Sequence, residues 1–133
     1  MYEKNSHNGY LCLYRESARL LPANCFSESS GFGPMLGQNH HFNHEAPQPV
    51  PYAIDRYQKE TERLYGELNK QLHDHAWLAG NAYSIADIAT YPYVVLRERQ
   101  RIDIDAFPAV KSGFERIRER PATQRAYQLA AKA

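Results

Sequence analysis

Three groups of residues in this chain carry chemistry by type and spacing. The first is a histidine cluster, His40, His41 and His44, set among Asn39, Asn43 and Glu45. His40 and His44 stand four apart and would share a helix face, the spacing at which two imidazoles can hold zinc. No acid or thiol follows at a fixed later position, and His73 and His75 flank a helix end with a spacing that would not face one ion. A polar loop or interface therefore outweighs a metal site, and no metal ligand is assigned. The second is Arg56, on the polar face of a long helical pattern, whose guanidinium could fork onto a carboxylate. A solvated arginine beside its i, i+4 neighbour Glu60 explains the same residue. The third is Ser84 with Asp87. A nucleophile beside an acid is one reading, but no histidine lies near enough in sequence to suggest a base, and helix capping accounts for both residues. The residues by themselves assign no catalytic group.

The elements that must position these residues are helical. Ile54, Tyr57, Thr61, Leu64, Leu68 and Leu72 recur at steps of three and four, which predicts a long amphipathic helix over 52–73. Its start follows an extended connector containing Pro47, Pro49 and Pro51. Before the connector, Gly31 to Gly37 and the polar run after it read as a helix end entering a loop, which would hold the histidines. Ser84 and Asp87 form a capping box, with Tyr83 stapled to Ile88, at the head of a helix expected to reach about Arg99 and bend at Pro92. Ile85, Ile88, Ala89, Tyr91 and Val95 leave that helix little polar face, which predicts that it runs through the middle of the bundle. Val110, Phe114 and Ile117 mark a further helix after Pro108, and Pro121 opens a last one through Tyr127 and Leu129. No strand pattern appears after Gly31, so the fold class is all-α, a bundle of four or five helices.

The residues before Gly31 behave differently. Short apolar patches alternate there with Asn, Ser, Gly and Pro, and only a blurred helical pattern, from Leu13 to Leu21, stands out. Residues 1–30 are therefore expected to be poorly ordered or loosely packed, and residues 31–133 to form the folded domain. At 133 residues the chain is sized for one domain. Its 16 Lys and Arg against 15 Asp and Glu leave a net charge of +1, too little for the electrostatic footprint of a nucleic-acid or anionic-membrane binder. No apolar run approaches the roughly 20 residues of a membrane span, and the first residues lack the features of a signal peptide, so the expected compartment is the cytoplasm. The two cysteines, Cys12 and Cys25, make neither a disulfide scaffold nor a CxxC pair.

Several runs resemble one family. Gly33-Pro-Met-Leu-Gly-Gln-Asn-His-His-Phe-Asn-His44, Pro51-Tyr-Ala-Ile-Asp-Arg-Tyr57, Tyr83-Ser-Ile-Ala-Asp-Ile-Ala89 and Arg118-Glu-Arg-Pro-Ala122 are similar to the C-terminal helical domain of cytosolic glutathione S-transferases. The first two runs resemble specifically the bacterial Nu class, which reduces disulfides with glutathione. The resemblance covers about three quarters of the chain. It implies glutathione as cosubstrate, Arg56 reaching toward it, Gln38 and Asn39 lining the mouth of the site near a dimer interface, and Ser84 and Asp87 as the capping box. It also implies a possible homodimer. The catalytic group of that family comes from a thioredoxin-like domain, which nothing in residues 1–30 resembles. The chain is thus expected to be the C-terminal part of such an enzyme, left by truncation, a shifted frame or a misplaced start, and inactive alone. A non-catalytic helical interaction module is the alternative.

Overall fold

Proline marks the start of most helices in this chain. A computed structural model describes residues 31–131. In chain order it contains α1 (Gly33–His40), α2 (Pro51–Asp74), α3 (Ile85–Val95), α4 (Pro108–Arg118) and α5 (Pro121–Ala130). All but α3 carry proline in the first turn, where its missing N–H is no loss and its fixed φ suits the helix. Among the described residues there is no strand, only an isolated bridge between Trp77 and Gly80, with Gly80 at φ 110° closing the turn. No described helix is long and apolar enough to cross a membrane. The expected helix at residues 13–21, both cysteines and the proposed boundary of the 1–30 segment lie outside the described residues.

The long helix α2 is the spine, packed against α1 and against α4. Phe32 and Leu36, Leu64 and Tyr65 of α2, Tyr91 and Val94 of α3, and Val110, Phe114 and Ile117 of α4 make one core. At Gly113 a Cβ would meet Leu72 at 3.2 Å, so the bare glycine lets α4 approach α2 closely. Polar side chains tie the same helices together. Asn69 Oδ1 accepts from the backbone N–H groups of Ala109 (2.9 Å) and Val110 (3.3 Å), so a residue of α2 serves the first turn of α4, which has no cap of its own. Tyr65, fully buried, donates to Gln100 Oε1 at 2.9 Å, and Gln100 Nε2 donates to the Tyr93 carbonyl at 2.9 Å. Burial pushes the Tyr65 phenol well above its ordinary range, with Arg97 pulling weakly the other way.

Three expectations are corrected. The polar run holding the histidines is no loop: α1 extends to His40 and continues through a π-helical turn, His41–Glu45. The helix behind Ser84 stops at Val95 rather than Arg99, and hydrogen-bonded turns with Arg101 at φ 58° follow. The buried Gln100 amide satisfies a carbonyl of the last turn, which allows the early stop. Nor does α3 run through the middle of the bundle. Ile85 (66% exposed), Ile88 (53%) and Leu96 (39%) line an open apolar face, while Ala86, Asp87, Thr90, Tyr91 and Val94 point inward. The Tyr83 ring packs on Trp77, 5.1 Å between centroids, and lies under Arg120. Ile88 stays exposed beside it, lining the same shallow concavity against α5.

Candidate functional site

The junction of α1 with α2 is held from inside by one asparagine. Asn39 has no exposed surface, and its Nδ2 donates to Thr61 Oγ1 at 3.0 Å and Gln58 Oε1 at 3.2 Å, with the Tyr57 carbonyl at 3.5 Å. Asn43 Nδ2 donates back to Asn39 O (2.9 Å) and Oδ1 (3.1 Å). Gln58 carries the network outward to Glu62 (3.0 Å) and to the Arg101 carbonyl (3.3 Å). Asn39 therefore cannot line an open site, because its amide is spent within the fold. Gln38, one residue earlier and about 100° around the helix, is exposed.

The histidines contact other protein groups. His44 Nε2 contacts the Arg99 carbonyl at 2.5 Å, fastening the π-helical turn to the turns after α3. His40 and His44 rings lie 5.1 Å apart, and Glu45 reaches His40 at 3.5 Å and His41 at 3.7 Å. No group of three metal-ligating side chains gathers among the described residues. His40 Nδ1 and Asn43 Oδ1 are buried without a partner there.

Arg56 sits on the outer face of α2, exposed, on an open groove along that helix lined by Tyr52, Asp55, Lys59, Glu60 and Arg63, with Met35 of α1 at its side. Its guanidinium carbon lies 5.2 Å from the Tyr57 ring centroid, and that ring stacks on Phe42 at 5.4 Å and 10°. Glu60, the expected neighbour of Arg56, is forked by Arg63 instead, at 2.9 and 2.8 Å. The hydrogen bonds from Arg63 hold the Glu60 carboxyl below its usual range against the opposing effect of burial, with a minor contribution from Arg56. Lys59 pairs with Asp55 at 2.8 Å. Among the described residues Arg56 makes no ion pair, so the groove presents a guanidinium free to fork a carboxylate.

At the head of α3, Ser84 Oγ accepts from Ala86 N at 3.2 Å, and Asp87 Oδ2 accepts from Ser84 N at 2.8 Å and Ser84 Oγ at 3.0 Å. Asp87 Oδ1 also accepts from Leu78 N at 2.9 Å, so the 1% exposed carboxylate pins the preceding loop as well as the helix start. Nothing here is open to a substrate. Residue spacing does not reveal that long-range bond, nor Asn69, Gln100 or the fork from Arg63. For the fork the sequence offers an arginine three residues after Glu60, but that spacing does not choose Arg63 over Arg56, four residues before it.

Residues 39–121 match the C-terminal domain of glutathione S-transferases. The chain belongs to the glutathione S-transferase family. Disulfide-bond oxidoreductase YfcG of Escherichia coli K12 is 62% identical over 101 residues, covering 76% of this chain and 47% of YfcG. Disulfide-bond oxidoreductase YghU of the same organism is 36% identical over 103 residues, covering 71% and 36%. Among solved structures, Ure2p in complex with glutathione superposes with a TM-score of 0.76 at 31% identity, covering 81% of this chain and 54% of Ure2p. The glutathione transferase URE2P6 of Phanerochaete chrysosporium, with oxidized glutathione, gives 0.77 at 28%, covering 90% and 54%. The chain spans about half the length, or less, of the curated relatives it matches. Both of these solved structures hold glutathione, in the second as its oxidized form.

Proposed function

We propose that this chain supplies the helical half of a glutathione-dependent disulfide oxidoreductase, with Arg56 holding a glutathione carboxylate and Gln38 bordering the site. The observation that carries this reading is the exposed guanidinium of Arg56, which makes no ion pair among the described residues, on a groove beside Tyr52. Glutathione offers two carboxylates, and a planar fork is the protein group that grips one with two hydrogen bonds. The names and bound ligands of the relatives support the same assignment. Arg56 binds and orients; it does not supply the thiolate that attacks a disulfide. Asn39 serves by fixing α1 to α2, which sets where Gln38 and Arg56 stand.

The exposed face of Ile85, Ile88 and Leu96 favours a second reading, a helical interaction module without catalysis. Calorimetric titration of reduced glutathione into the 133-residue chain separates the two. The enzyme-half reading expects weak, saturable heat that Arg56→Ala removes. Absence of heat at millimolar ligand would favour the interaction module.

A further inference from the structure

We infer that the Glu60–Arg63 fork exists to leave Arg56 unpaired, which makes Arg63 a positioning residue for the carboxylate-binding guanidinium. The inference rests on the reading of Arg56 as the glutathione contact and extends it to a residue that touches no ligand. Its basis is the order of charges along α2. Three pairs lie there, Asp55 with Lys59 at 2.8 Å, Glu60 with Arg63 at 2.8 Å and Glu67 with Lys70 at 3.2 Å. Each places the acid before the cation. That order is the favourable one on a helix, because it agrees with the direction of the backbone dipole. Glu62 is occupied by the Gln58 amide at 3.0 Å. Arg56 is then the one lysine or arginine of α2 without an acidic partner among the described residues.

Its natural competitor is Glu60, one turn ahead. A pair between them would run cation first, the weaker order, and Arg63 sits three residues beyond Glu60 on the other side. Arg63 wins with two hydrogen bonds, Nε to Oε2 at 2.9 Å and Nη2 to Oε1 at 2.8 Å, which occupy both carboxylate oxygens. Arg56 lies against the Tyr57 ring instead, a contact that holds the guanidinium without filling its five donors. Without Arg63, Glu60 would turn to Arg56 and compete with any incoming carboxylate.

Carbon-detected NMR titration of Glu60 tests the pairing in the full chain with no ligand present. Arg56→Gln should leave the Glu60 midpoint close to that of the unmodified chain. Arg63→Gln should raise it part of the way, since Arg56 takes over, and the double variant should raise it further. An equal midpoint in Arg63→Gln and the double variant would overturn the inference. A second arm measures affinity for reduced glutathione. Arg63→Gln should weaken it about two-fold, the size of one helix ion pair, and adding Glu60→Gln should restore it. Lys59→Gln removes the same charge and frees Asp55, which lines the same groove but as an i, i+1 neighbour stands about 100° around the helix from Arg56, so it should weaken binding less. Loss of affinity in Arg56→Gln without loss in Arg63→Gln would sink the inference and leave the glutathione reading standing. No loss in Arg56→Gln would sink the glutathione reading, while the ligand-free titration would still decide the pairing.

Discussion

Asp87 and Glu60 are both acids on helices, each held by two or more hydrogen bonds, yet they stand in opposite surroundings. Asp87 is 1% exposed and accepts from the backbone of Ser84, in a part-buried bond, and of Leu78, in a buried one. Glu60 lies on an outer face, and its partner Arg63 is a long, well-hydrated side chain. The contrast shows that hydrogen-bond count alone does not tell structure from function in this molecule. Where the donors are backbone and buried, the acid builds the fold; where they are side chains in water, we propose that pairing decides which charge remains for a ligand.

The largest test of that contrast is Asp87→Ala. It strips acceptors from two backbone N–H groups at once, and urea melts should show a loss of about 2 to 3 kcal/mol. A loss below about 0.5 kcal/mol would mean that water replaces the carboxylate and that the head of α3 is not dry. Next comes pH. Because burial raises the folded-state Tyr65 phenol above its unfolded value, its contribution is complete below an unfolded pKa of about 10 and fades as pH rises toward the higher folded one. Stability should therefore fall in alkali, and Tyr65→Phe should flatten that decline. An unchanged alkaline limb would show that Tyr65 ionises freely in the fold.

At the small end stand the exposed charges and the histidines. Glu60→Gln should cost less than about 0.5 kcal/mol at neutral pH. Since Arg63 lowers the Glu60 carboxyl in the fold, that difference is present above the unfolded value near 4.3 and vanishes as pH falls through the folded one. His40→Ala and His44→Ala should each fall short of the Asp87→Ala loss. A larger effect for either would mark the buried His40 nitrogen, or the contact of His44 with Arg99, as a structural network in its own right.

How much of this was legible in the residues follows the kind of signal each element sends. Val110, Phe114 and Ile117 repeat at helical spacing and are buried together, because apolar periodicity and burial have one cause. Pro51, Pro108 and Pro121 announce the helices they open for a local reason, whereas Pro34, read as part of a helix end, in fact opens α1. The stop of α3 at Val95 was hidden, since it depends on Gln100 folding back into the core, and glutamine is ordinarily a surface residue. The inward face of α3 was misjudged because Ile85 and Ile88 read as core by type, while the buried Asp87 and Thr90 read as surface. At the site, resemblance pointed to Arg56 and to the pair Gln38 and Asn39. Only the fold separates the exposed Gln38 from the buried Asn39.

The most direct test of the account is a map of backbone amide shifts as reduced glutathione is added to the 133-residue chain. The account predicts shifts that saturate and cluster at Met35, Tyr52 and Arg56, no movement at Leu78, Ser84 or Asp87, and loss of the whole pattern in Arg56→Ala. Shifts centred on the head of α3, or a pattern at α2 that survives Arg56→Ala, would contradict it.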